Sequence, residues 1–367
     1  MFRRTRWQPA DGGSVTPLDR WLDEAEATYS RGVVQLACRL NRGSNAFAET
    51  AVNLKHAANL AISKETLRRI VEATGGEVLA ASRRGDLVPE FTAEECRSPQ
   101  GTTRVYFGCD GVMAPMVTDV EKRKRREGHV EKRRRLKARG RTLAPLPPPR
   151  KGADNAYKEF KLVTFYSQDQ TRRVVSLTRG NHEAAGRIAR RDANRIGLDA
   201  ADERIGLYDG AAWIDKLTER HSLRLTDRGL DFYHLKDNVR RTRLAVFGET
   251  GAGTAWQAEV LRLFRDKGYE AGWNHLQATR TTRRGAARKT LDRLLHYVAE
   301  RRELINYPEF RAQGFQIGSG PTESQCKCCT HRLKGRGRRW DRSNAEAVAA
   351  LDALHQSGQW EQFWNLN

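Results

Sequence analysis

Two well-separated segments each run as a strand into an acid and then a glycine. They are Thr102-Thr-Arg-Val-Tyr-Phe-Gly-Cys-Asp110-Gly111 and Arg204-Ile-Gly-Leu-Tyr-Asp209-Gly210. β-branched and aromatic residues favour the strand, and the glycine permits the sharp exit that follows. Between them, Tyr157 to Ser167 and Arg173 to Thr178 read as a hairpin around Gln168-Asp-Gln. A helix is expected over His182 to Ile196 and another over Ala211 to His221, with a last short strand at Leu230-Asp-Phe-Tyr-His234-Leu. The order is three strands, helix, strand, helix, strand, which requires a mixed sheet with crossover helices.

That order is the one of a ribonuclease H-like α/β core. Acids at strand ends gather at the carboxyl edge of such a sheet, where α/β sites form. A third acid joins them from Ile317-Gly-Ser-Gly-Pro-Thr-Glu323-Ser-Gln-Cys-Lys. This stretch reads as a glycine-rich turn opening a helix, with Pro321 in the first turn and Glu323 just inside. Lys327, Thr330 or His331, and Lys334 follow at helical spacing, so a carboxylate and several basic groups share one face. Asp110, Asp209 and Glu323 supply the hard oxygen ligands that two-metal phosphodiester chemistry needs. The expected cofactor is Mg2+, as two ions, with Mn2+ as a substitute.

Lys and Arg number 66 against 45 Asp and Glu, a net charge of +21, which calls for a polyanionic partner. Much of the excess lies between Lys122 and Arg141, where twelve cations stand against Glu127 and Glu131. Pro145-Leu-Pro-Pro-Pro-Arg closes the run as a stiff linker. A run this one-sided is expected to contact phosphates, Arg123, Arg125 and Arg134 among its members. Lys334, Arg336, Arg338 and Arg339, spaced by glycines, suit phosphates beside the third acid. Six cysteines without a second Cys/His pair at zinc spacing fit neither a disulfide framework nor a zinc site.

The chain before residue 100 reads as all-helical, beginning at Leu18, Trp21 and Leu22. Ser63 is an N-cap with Glu65 in the first turn behind it. The pair of helices over residues 47–74, with Lys64, Arg68 and Arg69 outward, is a helix-turn-helix candidate for duplex DNA. The expected division is a helical DNA-binding domain at 1–100 and a first core part at 101–237 with a basic insertion at 121–156. A helical insertion at 238–312 follows, then core completion at 313–367. Trp256 and Trp273 are expected to pack inside the helical insertion. No apolar run reaches the length of a membrane span, and no apolar segment follows the basic N-terminus, so a cytoplasmic, nucleoid-associated protein is expected.

Several segments resemble the catalytic blocks of bacterial insertion-sequence transposases of the Kra type, a DDE branch with a Mutator-like core. They are Cys109-Asp110-Gly111-Val112, Tyr208-Asp209-Gly210-Ala211-Ala212-Trp213-Ile214 and Gly318-Ser-Gly-Pro-Thr-Glu323-Ser-Gln-Cys-Lys. Arg332-Leu-Lys-Gly-Arg-Gly-Arg-Arg-Trp340, Trp360-Glu-Gln-Phe-Trp364 and Leu18-Asp-Arg-Trp-Leu leading into Tyr29-Ser-Arg-Gly are similar to the same family. The resemblance implies that Asp110, Asp209 and Glu323 are the metal triad. It also implies that His234, in Asp231-Phe-Tyr-His234, lies near the scissile strand. The implied activity is binding of terminal inverted repeats, metal-dependent cleavage and joining of 3′-hydroxyl ends to target DNA, by a homodimer or larger assembly on double-stranded DNA. Two alternatives stay open: a catalytically idle, domesticated transposase that only binds DNA, and a ribonuclease H-type nuclease that hydrolyses without joining.

Overall fold

The computed structural model describes residues 28–366. The segment Leu18–Leu22 and the helix expected to begin there lie outside them. Five strands form one sheet in the order β3-β2-β1-β4-β5. β1 (Arg104–Pro115), β2 (Tyr157–Ser167) and β3 (Arg173–Thr178) make an antiparallel meander. β4 (Glu203–Tyr208) and β5 (Asp227–Leu230) add to the other side, parallel to β1. The crossovers are α5 (His182–Ile196) between β3 and β4 and α6 (Ala212–Arg220) between β4 and β5.

The long first strand has a split role. Its parallel ladder with β4 ends at Phe107↔Gly206, whereas its antiparallel ladder with β2 continues to Pro115↔Tyr157. Asp110 therefore does not end the strand, as the following glycine suggested. It lies beyond the parallel ladder but within the antiparallel one, opposite Leu162. Gly111 continues the strand because its missing side chain makes room for Glu159 of β2.

Alternation along β1 sends side chains into two cores. Val105, Phe107 and Cys109 join Ala185, Ala189 and Ile196 of α5 and Ile214 and Leu217 of α6. Val112, Ala114 and Met116 join the opposite core. That core is covered by α12 (Gly320–Thr330), α13 (Arg342–Gln356) and α14 (Trp360–Trp364). The helices α1 (Arg31–Gly43), α2 (Phe47–Ala58) and α3 (Lys64–Arg84) complete this second core rather than forming one of their own. Gly75 of α3 lies so near α13 that a Cβ there would stand 2.1 Å from the Ala347 carbonyl oxygen.

The last expected strand is corrected. β5 stops at Leu230, and Phe232–Phe247 is a helix, α7, that carries His234 in its first turn. Asp231 is its N-cap and accepts the Tyr233 N–H at 3.0 Å. An acid that satisfies an orphan helix donor outweighs the β preference of Phe232-Tyr233. The helical layer continues through α8 (Gly251–Lys267), α9 (Tyr269–Thr281), α10 (Gly285–Ala299) and α11 (Tyr307–Ala312). Within it Trp256 is buried and donates to Thr279 at 2.9 Å, and Trp273 stacks on Tyr269.

The basic run between β1 and β2 is a helix, α4 (Asp119–Ala138), started by a Thr118–Glu121 capping box. It buries none of its residues. The proline-rich segment returns along it: Arg126 donates to the Pro147 carbonyl at 2.9 Å, and Lys122 to the Lys151 carbonyl at 3.1 Å.

Candidate active site

Asp110, within β1, and Asp209, just past β4, lie near each other beyond the end of the parallel ladder. Asp110 lies three positions past Phe107, and Asp209 three past its partner Gly206. Asp209 is the first residue past β4, and its Oδ1 accepts the Ala211 N–H at 2.9 Å. Gly210 turns the chain there with φ of 72°, a region that favours glycine. Any side chain at that position would collide with Arg301, whose Nε donates to the Asp209 carbonyl at 3.4 Å. Asp110 is held by the Gly111 N–H on Oδ1 at 2.6 Å and by the Cys326 thiol on Oδ2 at 3.4 Å. Burial pushes the Asp110 carboxyl above its ordinary range, and the neighbouring Asp209 charge adds to that.

Glu323 approaches from α12, in the first turn, with Pro321 ahead of it. The helix sits close on the sheet because β1 has Gly108 where it crosses. A Cβ at Gly108 would stand 1.8 Å from Thr322 Oγ1. Burial raises the Glu323 carboxyl, and the Asp231 charge adds to it.

Asp231, fully buried, ties α7 to the turn before α12. Its Oδ1 accepts the backbone N–H of Tyr233 at 3.0 Å and of Ser319 at 3.1 Å. Its Oδ2 takes Ser319 Oγ at 2.8 Å and pairs with His234 Nδ1 at 2.7 Å. Burial alone would raise this carboxyl, but the hydrogen bonds from His234, Tyr233 and Ser319 outweigh it and hold it low. The same contact pushes His234 up to about 9. The ring Nδ1 also stands 3.8 Å from Glu323 Oε1.

Two groupings here could attract a metal ion. Asp231, His234 and Glu323 bring ligand atoms within 4.8 Å of one another. The acceptor positions of Asp231 are already used by Tyr233, Ser319 and His234, however. That group is a hydrogen-bonded Asp231–His234 pair beside Glu323. Asp110, Asp209 and Glu323 are a second set of hard oxygen donors. Each has a carboxylate oxygen that no backbone N–H engages, and Asp110 lies within electrostatic reach of both Asp209 and Glu323.

The structure thus brings together Asp110, Asp209, Glu323 and His234. The cations named from sequence lie on three surfaces around them. Lys334 lines the same cleft as Asp110, His234 and Glu323. A second cleft continues from Lys334 past Arg336, Arg338 and Arg339. A third runs from Arg338 and Arg339 to Arg125 of α4 and Arg68 of α3. Arg123 and Arg134 are exposed on α4, and Lys64 and Arg69 on α3. Arg68 is held by Glu72 at 2.6 Å, and Arg339 by Glu121 at 3.2 Å. Arg338 folds back onto the carbonyls of Arg332 and His331 at 2.8 and 3.3 Å, so it braces the loop.

Sequence reasoning missed Ser319, Cys326, Arg301 and the Gly108–Thr322 contact. Only the spacing of Cys326, one helical turn beyond Glu323, carried a signal for any of them.

No family model and no curated protein matches the sequence. Among solved structures, the Drosophila P element transposase strand transfer complex is similar over 92% of this chain and 81% of that chain, at 9% identity and a TM-score of 0.33. A likeness of that size bears on neither the fold nor the function argued below. Among the described residues, no helix is long and apolar enough to cross a membrane.

Proposed function

We propose that this chain is a DDE transposase of the Kra type that cuts the ends of its own insertion sequence and joins them to target DNA. The observation that supports the reading is the nearness of Asp110 in β1 to Asp209 just past β4, with Glu323 of α12 close to Asp110. A three-strand antiparallel meander extended by two parallel strands supports a ribonuclease H-like core. The continuous basic surface from Lys334 to Arg125 supports a DNA substrate.

Asp110, Asp209 and Glu323 hold two divalent ions in this reading, ordinarily Mg2+. Such ions would supply activation of water or of a 3′-hydroxyl and positive charge for the leaving oxygen. Asp231 orients His234, whose protonated ring sits beside Glu323 and offers a positive charge to the phosphate. Arg301 and Gly210 fix the turn that carries Asp209. α2 and α3, as a helix-turn-helix unit, read the terminal repeats. Pairing two ends requires at least a dimer on DNA.

The test is cleavage of a labelled duplex bearing the element's ends, with Mg2+, by wild type and Asp209→Asn. Nicking by wild type, with binding but no nicking by the variant, supports the reading. Binding without cleavage by either protein would leave a DNA binder. Hydrolysis with no joined product would leave a nuclease. Equal cutting by both would remove Asp209 from the site.

A further inference from the structure

Past Asp110, and on the face of β1 opposite to it, the sheet exposes two apolar side chains near the strand ends. Met113 near the end of β1 is 50% exposed, and Tyr157 at the start of β2 is 58% exposed. The register pairs Pro115 with Tyr157 and Met113 with Glu159, so Met113 and Tyr157 stand on one face, diagonally adjacent. Both line a single cleft with Lys334, Arg336 and Arg338. Lys334 also lines the cleft that holds Asp110 and Glu323.

The glycines of the loop shape this wall. A Cβ at Gly335 would collide with the folded-back guanidinium of Arg338, and Gly337 has φ of 73°. The loop therefore stays tight against its own carbonyls. Among the described residues, Lys334 and Arg336 make no ion pair, so both cations remain open to phosphates. An aromatic face and a polarisable thioether flanked by unpaired cations form a platform for a base and its backbone. A paired base hides its faces in the duplex stack, so only an unpaired one can use it.

We propose that Met113, Tyr157 and the loop from Lys334 form a subsite for an unpaired nucleobase on a DNA strand that passes the acid cluster. The inference rests on the proposed DNA-processing role of that cluster and adds a single-stranded segment to its substrate. Stacking tolerates any base, so the subsite serves frayed or already cut ends of any sequence.

The test uses the full chain and one generic duplex, blunt or with a short 3′ tail containing 2-aminopurine. Binding is read by anisotropy and stacking by fluorescence quenching, with Tyr157→Ala, Tyr157→Trp and Met113→Ala compared at matched melting temperature. Quenching is expected in wild type. Tyr157→Ala should abolish it and weaken binding of the tailed duplex at least ~5-fold, the lower end for loss of one base–aromatic stack. Blunt-duplex binding should stay constant, Tyr157→Trp should restore both signals, and Met113→Ala should have a smaller effect. No quenching in wild type, or equal losses on blunt and tailed DNA, overturns the subsite. If wild type binds and cuts DNA while Tyr157 variants behave like it, the subsite fails alone. If wild type binds neither DNA, the DNA-processing reading fails with it.

Discussion

His234 Nδ1 lies 2.7 Å from Oδ2 of Asp231, a carboxylate with no exposed surface. The pair bridges α7 to the turn that launches Glu323, so its protonation state affects both fold and site. The histidine sits above its ordinary value of 6.5, at about 9. A raised histidine contributes stability that is full below the unfolded value and fades as pH rises through the folded one. Its contribution is therefore complete below about 6.5 and lost around 9. Asp231, held low, loses its share on acidification. The ring is 35% exposed, and solvent screening trims the interaction to the order of 1–2 kcal/mol. In Asp231→Asn the His234 titration should fall back towards 6.5 by NMR in metal-free protein. The stability gap from wild type should be widest in weakly acidic buffer and narrow towards pH 9. An unchanged titration would show that something other than Asp231 holds the proton.

Gly108 and Thr322 set how closely α12 rests on the sheet, and hence where Glu323 stands relative to Asp110. A methyl at Gly108 overlaps Thr322 Oγ1 outright, so Gly108→Ala must lift the helix or the strand. Overpacking of this kind costs about 1–3 kcal/mol. We expect Gly108→Ala to melt lower, and to lose the stabilisation by added Mg2+ that wild type should show. Adding Thr322→Ala removes the colliding oxygen and should recover most of both losses, a coupling that a double-mutant cycle measures. Independent effects in that cycle would rule out the contact as the spacer.

The parts of this fold visible in the sequence are those fixed by local pattern. The β2–β3 hairpin and the helix His182–Ile196 fall where alternation and amphipathic spacing put them. Misreadings arose where strand pairing or helix capping decides. β1 runs past Gly111 because β2 pairs with it, and α7 begins at Phe232 because Asp231 caps it. Asp209 was visible because it follows its strand directly, whereas Asp110 lies inside β1 and Glu323 in the first turn of α12. Ser319 on Asp231 and Cys326 on Asp110 are contacts across more than eighty residues, and neither residue type signals such a partner.

Beneath α12, Asp352 of α13 is buried and meets Arg42 of α1 at 2.8 Å. Burial raises its carboxyl to about 6, although Arg42, His331 and Arg332 pull it down. A raised carboxyl costs folded-state stability above that value and is relieved as pH falls through it. Arg42→Ala removes the main counter-charge and should destabilise by about 3–5 kcal/mol at neutral to basic pH. The loss should shrink as the buried acid protonates, near pH 5 and below. Chemical denaturation of both proteins across that range checks the sign. A loss that grows on acidification would mean the carboxylate does not depend on Arg42.

The α4 helix separates a solvated charge run from a binding arm. Because it buries none of its residues, truncating its arginines leaves packing untouched. Arg125 faces the groove that also holds Arg338 and Arg339, while Arg123 and Arg134 extend the surface outward. If these three contact phosphates, each releases condensed counterions, and the slope of log affinity against log salt carries about 0.9 per contact. The triple variant Arg123→Ala, Arg125→Ala and Arg134→Ala should therefore lower the slope for duplex DNA by about 2–3. Its melting temperature should match wild type, and the weakening should be the same on any sequence, because phosphate contacts position DNA without reading it. A lower affinity with an unchanged slope would point to an indirect effect. No change in either would mean α4 projects into solvent and the DNA path follows the loop after α12 alone.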